Sequence, residues 1–303
     1  MNPRTFTNIC RALAVLLLFA VLGSIYFFGI RPAQLRWGAT PEECARTMPE
    51  DAAVSDPVFD ATRAITIHAT PEQIWPWLIQ MGFGRAGFYG YDLIENLGST
   101  SGIRSAQVIV PTLQNPHTGD VLPLSIAASL NYGPIQQNRS VVWQSSDVPQ
   151  TGVFVWELVP IDSSNTRLIS RIRWNYVHTP SGYLLGIFTE FTDHIAVRKI
   201  LQGIRDRAEG IPPESLGAQA IEISSISVAV LNFLIALLLI GLWHRWIWAW
   251  FIALSAGLLL ESVLYGTFSP AVREILPWLY FLGFVLFVLK FDTSRFSRRS
   301  IPW

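Results

Sequence analysis

The sequence predicts an α+β protein, in which an antiparallel sheet wraps round a long C-terminal helix and is joined to about four transmembrane helices. Three observations indicate this class. Four long apolar stretches bracket the middle of the chain. Between them, the hydrophobic periods follow the order strand, helix, several strands and one long helix. Only 15% of the residues are charged, against about 25% in a typical soluble domain. We therefore expect a folded domain held at a membrane by apolar helices on both sides of it.

The apolar stretches are residues 12–30, 223–243, 246–265 and 275–289. A helix rises 1.5 Å per residue, so about 20 apolar residues cross a hydrocarbon core of roughly 30 Å. The first three stretches have that length, and the fourth is short. The first also exceeds the apolar core of roughly 7–15 residues that is usual in signal peptides, which favours an uncleaved anchor.

Basic residues in the short flanks of the spans predict their orientation. The C-terminal tail carries four basic residues against one acid, namely Lys290, Arg295, Arg298 and Arg299 against Asp292. This places the tail in the cytoplasm. If all four stretches cross, both termini are cytoplasmic and the folded domain lies outside. The predicted localisation is a multi-pass protein of the cell membrane with an extracytoplasmic domain.

These features divide the chain into a tail and anchor (1–34), a linker (35–56), the folded domain (57–212), three transmembrane helices (221–291) and a basic cytoplasmic tail (292–303). The linker is polar and acidic, and a short capping segment is the alternative interpretation. The folded domain opens with a strand over residues 61–68, followed by a helix that begins at Thr70. Gln73 completes a capping box with Thr70, and Gly82 follows the helix.

Strands are predicted between residues 119 and 176, including a hairpin of 152–159 with 166–176. In the last strand, Arg171 and Arg173 alternate with apolar residues, which predicts that both arginines face solvent. Residues 183–208 then carry a helical period, and Gly210 follows it.

This order of elements is that of the helix-grip fold, and particular residues carry a closer resemblance. Residues 64–67 (Ala-Ile-Thr-Ile) and 69–78 (Ala-Thr-Pro-Glu-Gln-Ile-Trp-Pro-Trp-Leu) resemble the opening of the SRPBCC superfamily, the START-like and polyketide-cyclase-like group. Residues 80–89 and 91–96 look like an uncharacterised bacterial branch of it. The resemblance covers residues 57–210. It implies the helix-grip fold and an internal apolar cavity, but no reaction, because one fold hosts many functions.

Several function classes have no support in the sequence. A net charge of zero gives no argument for a nucleic-acid partner, and two cysteines are too few for a disulfide framework or a cysteine metal site. No phosphate-binding glycine loop, nucleophile elbow or His-Glu-x-x-His motif occurs. The sequence therefore predicts no cofactor and no metal site.

Candidate acid–base residues are few. His194 lies on the sheet side of the long helix with Glu190 four residues before it, and Asp92 lies in an aromatic loop. A Glu–His pair or a loop carboxylate beside a cavity could act as a general base. The alternative is a packed histidine and a structural carboxylate. Because no set of titratable residues converges, a binding role is favoured over an enzyme.

Aromatic residues are the ligand-binding candidates. Trp77, Trp156, Trp174 and Phe191 each have the inward phase of their element and are predicted to face one apolar cavity, with Tyr89 and Tyr91 at its mouth. The alternative is that the same rings fill a core.

The sequence thus predicts a membrane-anchored protein that binds a lipid or another hydrophobic small molecule in the helix-grip cavity. Two alternatives stay open: a cyclase- or dehydratase-like enzyme, and an assembly or interaction protein of the envelope. The partners predicted are the membrane and the hydrophobic ligand, and the sequence does not specify protein partners.

Overall fold

The computed structural model describes residues 2–147, 151–176, 179–265 and 269–293. The chain divides into two compact units. Pro32–Gln219 is called the sheet unit below, and Met1–Arg31 with Ala220–Trp303 is called the apolar unit.

A six-stranded antiparallel sheet lies at the centre of the sheet unit. Its strands are β1 (Phe59–Ile67), β2 (Val121–Pro123), β3 (Ser129–Gln136), β4 (Ser140–Gln144), β5 (Gly152–Pro160) and β6 (Thr166–Trp174). Their order across the sheet is β1-β6-β5-β4-β3-β2, so the first strand pairs with the last. The predicted hairpin is present as β5 and β6, and β6 ends two residues before its predicted end.

The helices are α1 (Pro3–Ile25), α2 (Arg31–Leu35), α3 (Pro41–Ala45), α4 (Pro71–Ile79), α5 (Asp92–Glu95), α6 (Pro180–Ala208), α7 (Leu216–Leu242), α8 (Trp246–Tyr265) and α9 (Pro270–Thr293). A π-helical turn, Tyr26–Ile30, joins α1 to α2, and 3-10 turns occur at Asp51–Ala53 and Pro111–Leu113. At the start of α4, the backbone N–H of Thr70 donates to the side chain of Gln73 (2.9 Å), as the capping box predicts.

The long helix α6 packs on the inner face of the sheet. Its residues Val197, Leu201 and Ile204 are buried in one core cluster with Trp156 and Leu168 of the sheet. Residues three and four apart share one side of a helix, so this stripe is the face that the sheet grips. The predicted class, an α+β helix-grip arrangement, is confirmed.

The outer face of the sheet is also covered. Met48 and Val54, which precede β1, are buried against Val142, Val155 and Ile169 of the sheet. This burial accounts for strands that are apolar on both faces, which is unusual in a sheet with one solvated side.

The prediction that Arg171 faces solvent is wrong, because that side chain is only 4% exposed. Its guanidinium forms an ion pair with Asp51 (2.7 Å) and donates to the carbonyls of Glu43, Cys44 and Arg46. The segment before β1 therefore brings its acid and its free carbonyls to the arginine. A buried cation of this kind must be paired to be tolerated.

The apolar unit contains helices that are long and apolar enough to cross a membrane. Among the described residues, four helices meet this criterion: Pro3–Leu35, Leu216–Leu242, Trp246–Leu264 and Pro270–Lys290. The fourth is longer than its apolar stretch, because α9 begins at Pro270 and includes Arg273 and Glu274 in its first turns. Which side of a membrane each terminus occupies stays a prediction.

Side chains tie the helices of the apolar unit to each other through backbone carbonyls. Arg11 of α1 donates to Gly241 O (2.7 Å) and Trp243 O (3.0 Å), where α7 ends and its last carbonyls lack helical partners. Trp250 of α8 donates its indole N–H to Ala14 O (2.7 Å). A carbonyl without a partner is costly away from water, so the Arg11 bonds at the end of α7 favour one arrangement of the helices within this unit.

Candidate functional site

The aromatic rings on the inner face of the sheet pack closely on one another. Trp156 stacks on Phe154 with ring centroids 4.8 Å apart, and Trp143 lies 5.4 Å from Trp156. A side chain that borders a cavity wide enough for water exposes surface to it, and Trp156 is 0% exposed. A ligand could therefore contact Trp156 only if Phe154 or Trp143 moved.

The other predicted ligand contacts lie at the margins of this core. Trp77 is half-buried and meets Tyr89 edge-on, with ring centroids 6.2 Å apart. Trp174 is half-buried and packs over Gly152, where any side chain would overlap its ring. Phe191 is half-buried on α6. That these rings bind a ligand stays a prediction.

His194 and Glu190 are both buried in α6. Between them in the chain, Asp193 forms an ion pair with Arg63 of β1 (2.5 Å), whose Nε donates to Gln34 O. Burial raises the pKa of Asp193, and the Arg63 guanidinium opposes that shift. The sequence interpretation missed Arg63, although residues two apart in a strand share a face and Arg63 therefore lies on the same face as Ala61 and Ile65. The pair links α6 to β1 inside the unit.

A polar pocket of about 270 Å³ lies between the loop before α5 and the C-terminal part of α6. It is called the Asp92 pocket below. Its wall includes Tyr89, Gly90, Asp92, Lys199, Gln202 and Arg207. The segment after α6 closes another side with Pro212, Pro213 and Glu214. His194 and Glu190 are not among the residues described as lining it.

Tyr89 builds the loop side of the Asp92 pocket. Its φ of +66° is uncommon outside glycine, and neighbouring groups hold it there. Its N–H donates to Ser105 Oγ (3.2 Å), and its hydroxyl donates to Trp77 O (3.0 Å) and accepts from Gln80 (2.9 Å). The Arg207 guanidinium lies 4.2 Å from the centroid of its ring. This stacking places Arg207 at the pocket wall.

One carboxylate oxygen of Asp92 accepts hydrogen bonds that hold the loop together. Its Oδ1 accepts from Ser105 Oγ (2.6 Å), Ser105 N (3.1 Å) and Asn96 Nδ2 (3.2 Å). Its Oδ2 accepts no hydrogen bond from the described part of the chain. Oδ2 is therefore the oxygen that remains available to a ligand.

Arg207 and Gln202 also have N–H groups that are available to a ligand. Arg207 donates through Nε to Ala106 O (2.9 Å) and through Nη1 to Gly203 O (3.1 Å). Within residues 2–147, 151–176, 179–265 and 269–293, neither its Nη2 nor the Gln202 amide has a hydrogen-bond partner. Burial lowers the pKa of Arg207, and the neighbouring Tyr89, Asp92 and Asp206 side chains oppose that shift.

The remaining charges around the pocket are engaged. Lys199 forms an ion pair with Glu214 (2.8 Å) and lies 4.9 Å from the Tyr91 ring centroid. Arg205 pairs with Asp206 (2.6 Å). The two cations are thus neutralised locally.

Glu95 lies behind the pocket wall. Its Oε2 accepts from the N–H of Gly90 (3.2 Å), and a methyl group on Gly90 would overlap the carboxylate. Burial raises the pKa of Glu95 to about 7, with hydrogen bonds from Tyr91 and Gly90 opposing the shift. Glu95 supports the loop and is not among the residues described as lining the pocket.

The sequence named only part of this pocket. Tyr89 of the loop and Asp92, the first residue of α5, line it, whereas Tyr91 is buried beneath Lys199. The α6 residues Gln202 and Arg207 were missed, although both lie in the last two turns of the predicted helix 183–208. Their meeting with the loop depends on tertiary contacts.

No protein-family model matches this sequence, and no curated protein matches it significantly. Similar solved structures include a Thermobifida fusca protein determined by NMR (10% identity, TM-score 0.34, 52% of this chain and 97% of that chain). The Zhui aromatase/cyclase from a Streptomyces species is another (11%, 0.30, 49% and 94%). A third is a polyketide-cyclase-like protein from Corynebacterium glutamicum (15%, 0.24, 53% and 88%). At these identities and TM-scores the likeness carries no argument about activity. Membership of the SRPBCC superfamily, and of a membrane-anchored branch, stays a prediction.

Proposed function

We propose that this protein is a membrane-anchored binding protein that holds the polar end of a lipid, or of another amphipathic small molecule, in the Asp92 pocket. The observation that carries the proposal is the set of unused hydrogen-bonding groups on the pocket wall: Asp92 Oδ2, Arg207 Nη2 and the Gln202 amide. Binding sites combine a concave shape with a few placed polar groups of this kind.

The sequence that follows the pocket residues supports a ligand from the membrane. Gln219 belongs to the pocket wall and to α7, and α7 is one of the helices apolar enough to cross a bilayer. A pocket volume of about 270 Å³ is near the lower end of the usual range of roughly 300–1,000 Å³. It suits a headgroup better than a whole lipid.

The test is native mass spectrometry of the full chain purified in detergent, with measurement of co-purifying small molecules. Gln202→Trp fills the pocket and should remove at least about 90% of the bound molecule, because an indole leaves no room for a headgroup. Gln137→Trp, on an exposed turn, is the matched control and should keep it. Equal occupancy in both variants would contradict the proposal.

The sequence-based hypothesis of a ligand among the core rings is a second candidate, and one observation favours it. The indole N–H groups of Trp143 and Trp156 are buried without a hydrogen-bond partner in the described residues. An unmet buried donor costs about 1–3 kcal/mol, so a ligand carbonyl that displaced Phe154 would satisfy one. Trp156→Phe removes the donor and keeps a ring. Loss of a co-purified molecule in this variant, but not in Gln202→Trp, would support the core site.

A further inference from the structure

We propose that the Asp92 pocket recognises a zwitterion, a small group that carries an ammonium at one end and a phosphate or carboxylate at the other. This inference rests on the proposed function and names the chemistry of its ligand. It follows from the charges that the pocket leaves unused.

The negative end of the pocket is Asp92 Oδ2. The three hydrogen bonds to Oδ1 from Ser105 and Asn96 hold the carboxylate in one orientation, and no described donor meets Oδ2. An ionised carboxylate oxygen only accepts hydrogen bonds, and an ammonium offers three donors in a compact shape. Charge-assisted bonds of this kind are about twice as strong as neutral ones.

The positive end of the pocket is Arg207. Two of its nitrogens are fixed by the carbonyls of Ala106 and Gly203, and its plane rests on Tyr89. The guanidinium is therefore pre-organised, and its Nη2 donors remain for an oxyanion. The Gln202 amide on the same wall has no partner in the described ranges and can serve either end.

The other charges on the wall do not change this balance. Lys199 is paired with Glu214, and Arg205 is paired with Asp206, so each pair is neutral. A simple anion would gain Arg207 but face Asp92, and a simple cation would gain Asp92 but face Arg207. Only a ligand with both charges satisfies both ends, because like charges that face each other in a partly desolvated site are repelled.

The experiment uses the full chain in detergent micelles and isothermal titration with three soluble probes: phosphoethanolamine, ethanolamine and inorganic phosphate. We expect phosphoethanolamine to bind at least about tenfold more tightly than ethanolamine or phosphate, each of which carries charge of one sign only. A lipid arm compares retention of phosphatidylethanolamine and phosphatidylglycerol by native mass spectrometry. Preference for phosphatidylethanolamine alone assigns a lipid headgroup, and binding of phosphoethanolamine alone assigns a free zwitterion.

Variants separate the two ends of the site. Asp92→Asn should abolish the preference for phosphoethanolamine over phosphate, and Arg207→Gln should abolish the preference over ethanolamine. Arg139→Gln, at an exposed arginine in the turn between β3 and β4, is the control and should leave both preferences intact. Because Asp92 and Arg207 also hold the loop, Gln202→Leu serves as a variant without structural bonds and should weaken phosphoethanolamine binding.

Two results would overturn the inference in distinguishable ways. If phosphate or ethanolamine binds as tightly as phosphoethanolamine and Gln202→Trp blocks that binding, the zwitterion is wrong and the pocket remains a binding site. If no soluble probe binds and Gln202→Trp does not change lipid retention, the proposed function is wrong as well.

Discussion

Gly203 of α6 lies directly against the backbone of Tyr89, so closely that a methyl group at position 203 would overlap the Tyr89 carbonyl oxygen. Both residues line the Asp92 pocket. The close approach brings the end of the gripped helix to a loop more than a hundred residues earlier in the chain. Only glycine at this helical position allows the approach without a shift of the loop, although glycine costs helix stability.

The first prediction is that Gly203→Ala destabilises the protein by about 1–3 kcal/mol, since the helix and the loop must separate to admit the methyl group. Chemical denaturation followed by tryptophan fluorescence measures this. Gly217→Ala is the matched control: its methyl would meet only Ser215 Oγ at 3.8 Å, so it should be neutral or stabilising. Equal effects of both substitutions would show that the contact is unimportant.

The second prediction concerns pH and Glu95. Its pKa of about 7 in the folded protein lies above the ordinary 4.5, so folding keeps a proton that the unfolded chain releases. Its contribution to stability is complete below pH 4.5 and is lost as the pH rises through 7. Glu95→Gln stays neutral, so the melting temperature of the variant minus that of the natural protein should rise across this window. A difference that is constant with pH would contradict the assignment.

The third prediction tests the covered face of the sheet. Arg171→Ala should cost about 3–5 kcal/mol, because it leaves the Asp51 carboxylate buried without its cation. Arg139→Ala, at an exposed turn, should change stability by no more than about 0.5 kcal/mol. Guanidinium denaturation of both variants decides the matter, and a small effect at Arg171 would mean that the segment before β1 does not cover the sheet.

The fourth prediction concerns the apolar unit. Pro277 has no N–H, so it leaves the Arg273 carbonyl one turn earlier without its helical donor. Ser225 Oγ of α7 donates to that carbonyl (3.1 Å). Ser225→Ala should therefore destabilise the helices by about 0.5–1.5 kcal/mol in thermal melts in detergent. Ser227→Ala is the control, since its hydroxyl bonds only within its own helix (2.9 Å), and a loss equal to that of Ser225→Ala would remove the argument.

The fifth prediction is the membrane topology. With four spans and a basic tail in the cytoplasm, the sheet unit lies outside and both termini lie inside. In a background that lacks Cys10 and Cys44, Ser163→Cys should react with a membrane-impermeant thiol reagent in intact cells. Protection of that cysteine until the cells are lysed would place the sheet unit in the cytoplasm.

The sequence by itself determined the class of the protein. Hydrophobic period and capping residues are local properties, and they sufficed for the helix at Thr70, the β5–β6 hairpin, the long helix and the apolar spans. The prediction that Tyr89 and Asp92 lie in one segment after the first helix was also local, because both follow a helix end in the sequence.

Tertiary structure alone decided how the remaining polar residues are used. Arg171 alternates with apolar neighbours as a solvated residue would, and only the folding of the preceding segment over the sheet shows that it is buried with Asp51. In the sequence, Arg207 is one of several charges on a helix, and only the structure shows that its guanidinium stacks on Tyr89. The hydrophobic period of a sequence predicts which face of an element a side chain occupies, but not which other residues cover that face. Packing between residues distant in the sequence covers that face and removes water from it. A charge buried in this way must then be paired.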